Sequence, residues 1–472
     1  MTRPLLLIFL ILPALTLTGC SRERPMLAEI YTRSAMYHGP DRNPVIVIPG
    51  ILGSRLVDDA TGKVVWGAFS GDYANPMSSE GARLVAHPMG PGRLRELDTS
   101  VRVDGALETV QVRLFRLPLM LGAYIDILQT LGVGGYRDEQ LAEANAIDYG
   151  TDHYTCFQFP YDWRRDNVES AHALMAFIEE KRSLVQSFYE RDYGIKDADV
   201  KFDIVAHSMG GLVTRYMLRY GDADLPQDGS TPEVTWAGAK HIDRVILVGT
   251  PNAGSALSVI QLNDGAKLPL WWKDYPPAVL GTMPSVYQLM PRPRHGAYVD
   301  AVTQDPVDTI YDAAFWKKHG WGLFDPKQDK VLQWLLPEIK TREQRLALAD
   351  LHARKCLERA RQFHDAIDQP AERPDGLDMH LYAADSRKTS AVLSIHPETG
   401  ELRVHRSYQG DGTVLRSSAL MDERVGGEWS PRLRTPIDWT SVTFLFSDHL
   451  GLTKSPEFID NVLYTLLEEP ER

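Results

Sequence analysis

Ser208 follows the apolar run Phe202-Asp203-Ile204-Val205-Ala206-His207. It opens onto Met209-Gly210-Gly211 and the helix-forming stretch Leu212 to Leu218. Strand, sharp turn and helix in that order read as a nucleophile elbow, in which a strained backbone lifts a serine hydroxyl above the sheet. Only small residues fit two positions to either side of such a serine, and Ala206 and Gly210 meet that demand. Glycine is the usual occupant of the first position, so Ala206 adds one methyl group there. The chemistry served is attack of a hydroxyl on an acyl carbon.

A serine used this way needs a base to take its proton and a carboxylate to orient the base. In this architecture the chain order is serine, acid, histidine. Among the histidines beyond residue 208, His449 stands out. It follows the strand-like run Trp439 to Phe446 and precedes Leu450-Gly451-Leu452 and a helix expected over Pro456 to Leu467. A loop between the last strand and the last helix is where the base must hang over the elbow. Two carboxylates compete for the acid. Asp411 lies in the tight turn Gly410-Asp411-Gly412-Thr413-Val414, and Asp385 ends a strand expected at 377–384. Aspartate between glycines is also ordinary turn composition, so residue types alone leave both open. An oxyanion hole needs two backbone N–H groups. Met209, at the start of the helix, supplies one, and the loop Pro49-Gly50-Ile51-Leu52-Gly53 supplies the other, through Ile51 or Leu52.

Positioning these groups requires strands near 44–48, 154–158, 201–206, 243–249, 377–384 and 438–446. Their alternation with helices predicts an α/β-hydrolase: a mostly parallel sheet with helices on both faces and cap or lid insertions. The chain has 472 residues, room for two or three average domains, yet the motifs are spread over nearly all of it. One decorated domain over 44–472 is therefore expected, with an insertion at 57–120 and a cap at 255–375. Within the cap, the stretch Lys267 to Leu280 is apolar, aromatic and broken by proline, and includes Trp271 and Trp272. That composition suits a substrate-binding lid or acyl-chain wall, or plain cap core. Residues 341–368 carry Leu346, Ala349, Ala353, Ala360, Phe363 and Ile367 at helical spacing, the stripe of a core-packing cap helix.

Taken in chain order, these segments resemble the lecithin:cholesterol acyltransferase family, which includes phospholipases A and diacylglycerol acyltransferases. The likeness runs from Pro44 to Leu56 through Val64-Val65-Trp66, Gly122-Ala123-Tyr124 and Gly135-Tyr136-Arg137-Asp138. It continues through Pro160-Tyr161-Asp162-Trp163-Arg164-Arg165, the elbow, Val248 to Ser255, Gly410 to Val414 and His449. The resemblance implies that Asp411, not Asp385, is the acid. It implies a triad of Ser208, Asp411 and His449, with Ile51 and Met209 at the oxyanion and Trp66 in a lipid-contacting loop. Trp163 and Arg164 read as buttresses of the pocket wall. Animal members close the loop near the tryptophan with a disulfide, whereas no cysteine lies near Trp66 here, and the match is loose from Ser255 to about Asp375.

The net charge of −12 and the lack of a long basic block exclude nucleic acid as an expected partner, and give no charge-based reason to expect lipid headgroups. Of the three cysteines, Cys20 ends Leu17-Thr18-Gly19-Cys20 after Arg3 and the apolar run Leu5 to Leu17. This predicts a signal peptide over 1–19, diacylglycerol on Cys20 and a linker to residue 43. The protein would then be lipid-anchored at the bacterial outer membrane or in the periplasm, or alternatively secreted. Cys156 and Cys356 read as buried free thiols. No Cys/His cluster has zinc-ligand spacing, and no cofactor is expected. The expected activity is attack of Ser208 on a lipid ester, with the acyl chain passed to an alcohol by a transferase or to water by a phospholipase or lipase. A non-enzymatic binding or assembly lipoprotein on the same scaffold is the remaining class.

Overall fold

The structure, a computed structural model, describes residues 31–67, 73–106, 120–267 and 274–469. The expected signal segment, Cys20, Trp271 and Trp272 lie outside those residues.

Six strands form the central sheet: β1 (Val45–Ile48), β2 (Cys156–Gln158), β3 (Phe202–His207), β4 (Ile242–Val248), β5 (Asp378–Ala384) and β6 (Ser441–Leu445). Their spatial order is β6-β5-β4-β3-β1-β2, with every neighbouring pair parallel. Alternate side chains of each strand feed two separate cores. Ile46, Ile48, Ile204, Ala206 and Leu247 join the core on one face, and Val45, Val47, Val205, Ile246 and Val248 join that on the other. Because both faces are covered, the strands read as near-continuous apolar runs.

The first core is closed by α2 (Asn167–Tyr193), α3 (Met209–Tyr220) and α5 (Arg342–Ile367), and the second by α1 (Met120–Val133) and α6 (Pro456–Leu467). Between β4 and α5 lies α4 (Ala256–Asp264). The chain moves outward from β1 to β2, then returns past β1 to β3 and continues the opposite way. The carboxyl ends of β1 and β3 therefore flank a topological switch point, where α/β sheets open a crevice for ligands. Ser208 and the Gly50–Gly53 loop sit at those two ends.

Observed strands lie within three residues of the expected boundaries, and α6 spans the expected Pro456–Leu467. α5 occupies the expected helix of the cap region, but it packs against the elbow helix. Phe363 stacks on Tyr216 at 5.8 Å between ring centroids, and Arg215 donates to the carbonyl of Ile367. One structure was not expected: an antiparallel hairpin of Arg387–Ile395 and Leu402–Gly410, extended by Tyr298–Asp300 into a three-stranded sheet. Residues 402–409 are mostly charged or polar and mostly exposed, so they lack the alternation that marks a half-buried strand. Ser54–Asp58, Val64–Trp66 and Val101–Ala106 form a second small antiparallel sheet in the first insertion. Cys156 and Cys356 are both buried and form no disulfide with each other, as expected.

Candidate active site

Ser208 has φ 52° and ψ −124°, a conformation few non-glycine residues adopt. Its amide donates to the carbonyl of Val248 at 2.8 Å, and its own carbonyl accepts from Gly211 at 3.0 Å. Such strain costs on the order of 1–3 kcal/mol and persists only where the surroundings dictate it. Here they do. A Cβ on Gly210 would stand 2.5 Å from the Pro49 carbonyl oxygen and 2.8 Å from that of Ile48, and one on Gly211 would stand 2.1 Å from Thr250 Oγ1. The elbow helix thus presses against the β1 loop with no room for a side chain.

The loop after β6 carries His449 over the end of β4. A Cβ on Gly249 would lie 3.2 Å from the His449 Nδ1. His449 Nδ1 donates to Asp411 Oδ2 at 2.7 Å, which leaves Nε2 to accept from Ser208 Oγ at 3.1 Å. The backbone repeats the link, since the His449 amide donates to the Asp411 carbonyl at 2.9 Å. Asp411 is buried. Its Oδ1 accepts from the amides of Thr413 and Val414 at 2.8 and 2.6 Å, so every strong contact of the carboxylate is fixed. Gly412, at φ 94°, donates its amide to Thr389 Oγ1 at 2.8 Å, which pins the turn to the hairpin. Asp385, the other carboxylate open at the level of residue types, has a side chain 40% exposed that pairs with Arg416 at 3.4 Å, while the imidazole meets Asp411.

The Gly50–Gly53 side is equally fixed. Gly53 donates to Gly50 at 3.0 Å, closing a turn in which Leu52 has φ 66°. Among the described residues, the amides of Ile51, Leu52 and Met209 have no hydrogen-bond partner. Three aromatic residues hold the loop from behind. Tyr161 OH donates to the Pro49 carbonyl at 3.0 Å, Trp66 Nε1 to that of Leu52 at 2.7 Å, and Trp163 Nε1 to that of Ser54 at 3.3 Å. Trp66, which the resemblance implied to lie in a lipid-contacting loop, is engaged with the Gly50–Gly53 loop instead. It is buried, edge-on to Trp163 and Tyr275, and absent from the pocket wall. Its short strand lies beneath the loop, and its N–H has a partner there. Trp163 lines the pocket, while Arg164 forks onto Asp162 and donates to the carbonyls of Leu84, Val85 and Ala86, tying the first insertion to the wall.

A cavity of about 240 Å³ opens at Ser208. Ile51, Leu52, Trp163, Leu257, Tyr275, Leu280, Met283, Val286 and Leu289 give it an apolar wall, broken by Ser255, Ser258 and Gln261. Among the described residues, its cover comes from 257–266 and 275–289, and nothing from α5 reaches it. His207, which sequence reasoning passed over, also lines the cavity, 5.1 Å from the His449 ring between centroids. Burial pushes its imidazole down to about 3, with His449 adding to the shift, so it is neutral. Its place directly before the elbow serine was the available signal. Thr389 and Tyr275 gave none, because their roles arise from tertiary contact.

The pattern that defines the lecithin:cholesterol acyltransferase family matches residues 117–322, which bears out the resemblance. The match takes in Pro160–Arg165, the elbow and residues 248–255, and ends before Asp411 and His449. No curated protein sequence matches the chain. Among solved structures, the chain is similar to the Tle4–Tli4 complex structure at 16% identity and TM-score 0.49, covering 90% of this chain and 98% of that one. It is also similar to lipase 1 from Pelosinus fermentans at 12% identity and TM-score 0.34, covering 91% and 99%. The mature form of Bacillus licheniformis lipase BlEst2 has 12% identity and TM-score 0.29, covering 92% and 94%. The fold is that of an α/β-hydrolase. The family match marks the chain as an enzyme acting on lipid esters in the broad sense, hydrolases and acyltransferases together.

Proposed function

We propose that Ser208 Oγ attacks the carbonyl carbon of an ester-linked acyl chain in a phospholipid or related lipid, while His449 Nε2 takes its proton. Asp411 holds the imidazole in the tautomer with Nδ1 protonated and stabilises the imidazolium as it forms. The oxygen that becomes negative is received by the amides of Met209 and Ile51, each such donor contributing roughly 3–4 kcal/mol to the transition state. His449 returns the proton to the leaving alcohol, and the acyl group stays on Ser208 as an ester. An acceptor alcohol then attacks that ester, with His449 again as base, and Ser208 is released.

The observation that carries this reading is the contact chain from Ser208 to His449 to Asp411, at 3.1 and 2.7 Å, at the floor of an apolar cavity. An apolar wall favours an acyl chain over a polar ligand and limits the water that would compete with an alcohol. Incubation with a phospholipid labelled in its acyl chains, with and without a long-chain alcohol, tests it through the product. Labelled alkyl ester in the presence of the alcohol supports transfer. Free fatty acid as sole product in both makes the protein a lipase or phospholipase. The anchor belongs to the same reading: diacylglycerol on Cys20 would hold the enzyme at its substrate, and label from tritiated palmitate should vanish in Cys20→Ala.

A further inference from the structure

The hairpin Arg387–Ile395/Leu402–Gly410 leaves the end of β5 and returns to Asp411, so its base stands beside the candidate active site. Leu402–Gly410 is the outer strand of its sheet. On it, Val404 and Tyr408 are 47% and 51% exposed, and Phe446, three residues before His449, is 95% exposed. The Phe446 loop is fastened to the hairpin base: Ser386 Oγ donates to the Ser447 carbonyl at 2.6 Å, and Arg387 pairs with Asp448 at 3.7 Å.

Charge at this base does not cancel. Arg387 and Arg416 are matched by Asp448 and Asp385, but Lys388 and Arg406 are exposed and, among the described residues, have no ion-pair partner. The sequence contains no long basic block; on the hairpin Lys388 stands opposite Gln409 and Arg406 opposite Val392, two unmatched cations on a chain of net charge −12. Edge strands use cations to prevent pairing with other chains, which accounts for Arg406. It does not account for an uncovered phenylalanine on a different strand's exit.

We propose that the hairpin base and Phe446 form a docking surface for an anionic phospholipid bilayer, presenting the cavity mouth to lipid. The inference rests on the lipid-ester reading. An anionic interface meets both needs: lipid phosphates neutralise Lys388 and Arg406, and the aromatic rings of Phe446 and Tyr408 enter the headgroup boundary. Leu257, 37% exposed and lining the cavity, continues the apolar rim.

Flotation of the full chain with phosphatidylcholine vesicles, and with vesicles about one third phosphatidylglycerol, tests this. Turnover of a water-soluble short-chain ester is followed in parallel. The apolar N-terminal run is common to all variants, so the readout is a difference between them. Wild type is expected to prefer the anionic vesicles, with the preference lost in high salt. Each cation near such a surface contributes about fivefold, so Lys388→Glu/Arg406→Glu should weaken that binding at least about tenfold. Phe446→Ser should weaken binding to both vesicle types, and short-chain turnover should stay at the wild-type level in both variants. Equal binding of wild type and the double variant to anionic vesicles would overturn the proposal, as would preference for soluble polyglutamate over vesicles. Absence of short-chain turnover in wild type is a different result: it defeats the ester reading and leaves the vesicle measurement standing.

Discussion

The elbow and the acid–base end of the site are built in opposite ways. Ser208 is positioned by one contiguous stretch, β3 and α3, whose every residue from 202 to 220 is buried. Its geometry comes from backbone pressed on backbone, with Gly210 and Gly211 filling the only available space. Asp411 and His449 are delivered by a solvent-facing hairpin and by an edge strand, and they meet through hydrogen bonds across 38 residues of chain. Ser208 is therefore locked by packing, and the His449–Asp411 pair by directional polar contacts. Changes at the first end should cost stability, and changes at the second should cost turnover.

The widest separation between the two is expected from the acid. Asp411→Asn keeps the side-chain shape but removes the charge that selects the His449 tautomer, so kcat should fall about 10⁴-fold with little change in melting temperature. Asp385→Asn should change kcat by less than about threefold, since its carboxylate faces Arg416. Equal losses in the two variants would erase the distinction between the carboxylates.

At the elbow the order reverses. Gly210→Ala forces a methyl against two carbonyl oxygens of the β1 loop and should destabilise the fold by about 1–3 kcal/mol or more, read as a lower urea midpoint. An unchanged midpoint would mean that the loop yields. Trp66→Phe tests the buttress between the ends. It strips the Leu52 carbonyl of its donor at a cost of about 1–3 kcal/mol, and turnover of soluble and lipid esters should drop together. Loss confined to lipid substrate would restore Trp66 as a lipid contact.

Acid sensitivity sharpens the comparison further. His207 is neutral in the fold down to about 3 but titrates near 6.5 once unfolded, so below pH 6.5 the unfolded chain binds a proton that the folded chain does not. Its contribution is fully present above about pH 6.5 and is lost as pH falls toward 3, by up to about 1.4 kcal/mol per pH unit. His207→Gln should flatten the fall in stability over this window by about one proton. An unchanged slope would show that the imidazole is not held neutral.

The same contrast explains what could be read in the sequence. The elbow, the six central strands and α6 were legible because their signals are local: apolar runs buried on both faces, small residues around a serine, a proline opening a helix. His449 was legible by its place between the last strand and the last helix. Asp411 could not be told from Asp385 by residue type, because what separates them is a turn anchored by Thr389 on a hairpin whose polar outer strand carries no periodic pattern. Trp66 misled for a related reason. Its position in the chain suggested exposure to lipid, whereas the partner of its indole, the Leu52 carbonyl, is visible only once the loop has folded over it.

The most direct test of the central claim is the site and rate of modification by a fluorophosphonate, mapped by peptide mass spectrometry on the folded protein. One adduct per chain on Ser208, forming far more slowly in His449→Ala, is the predicted result. No adduct, an adduct on another residue, or labelling of Ser208 at the same rate without His449 would contradict it.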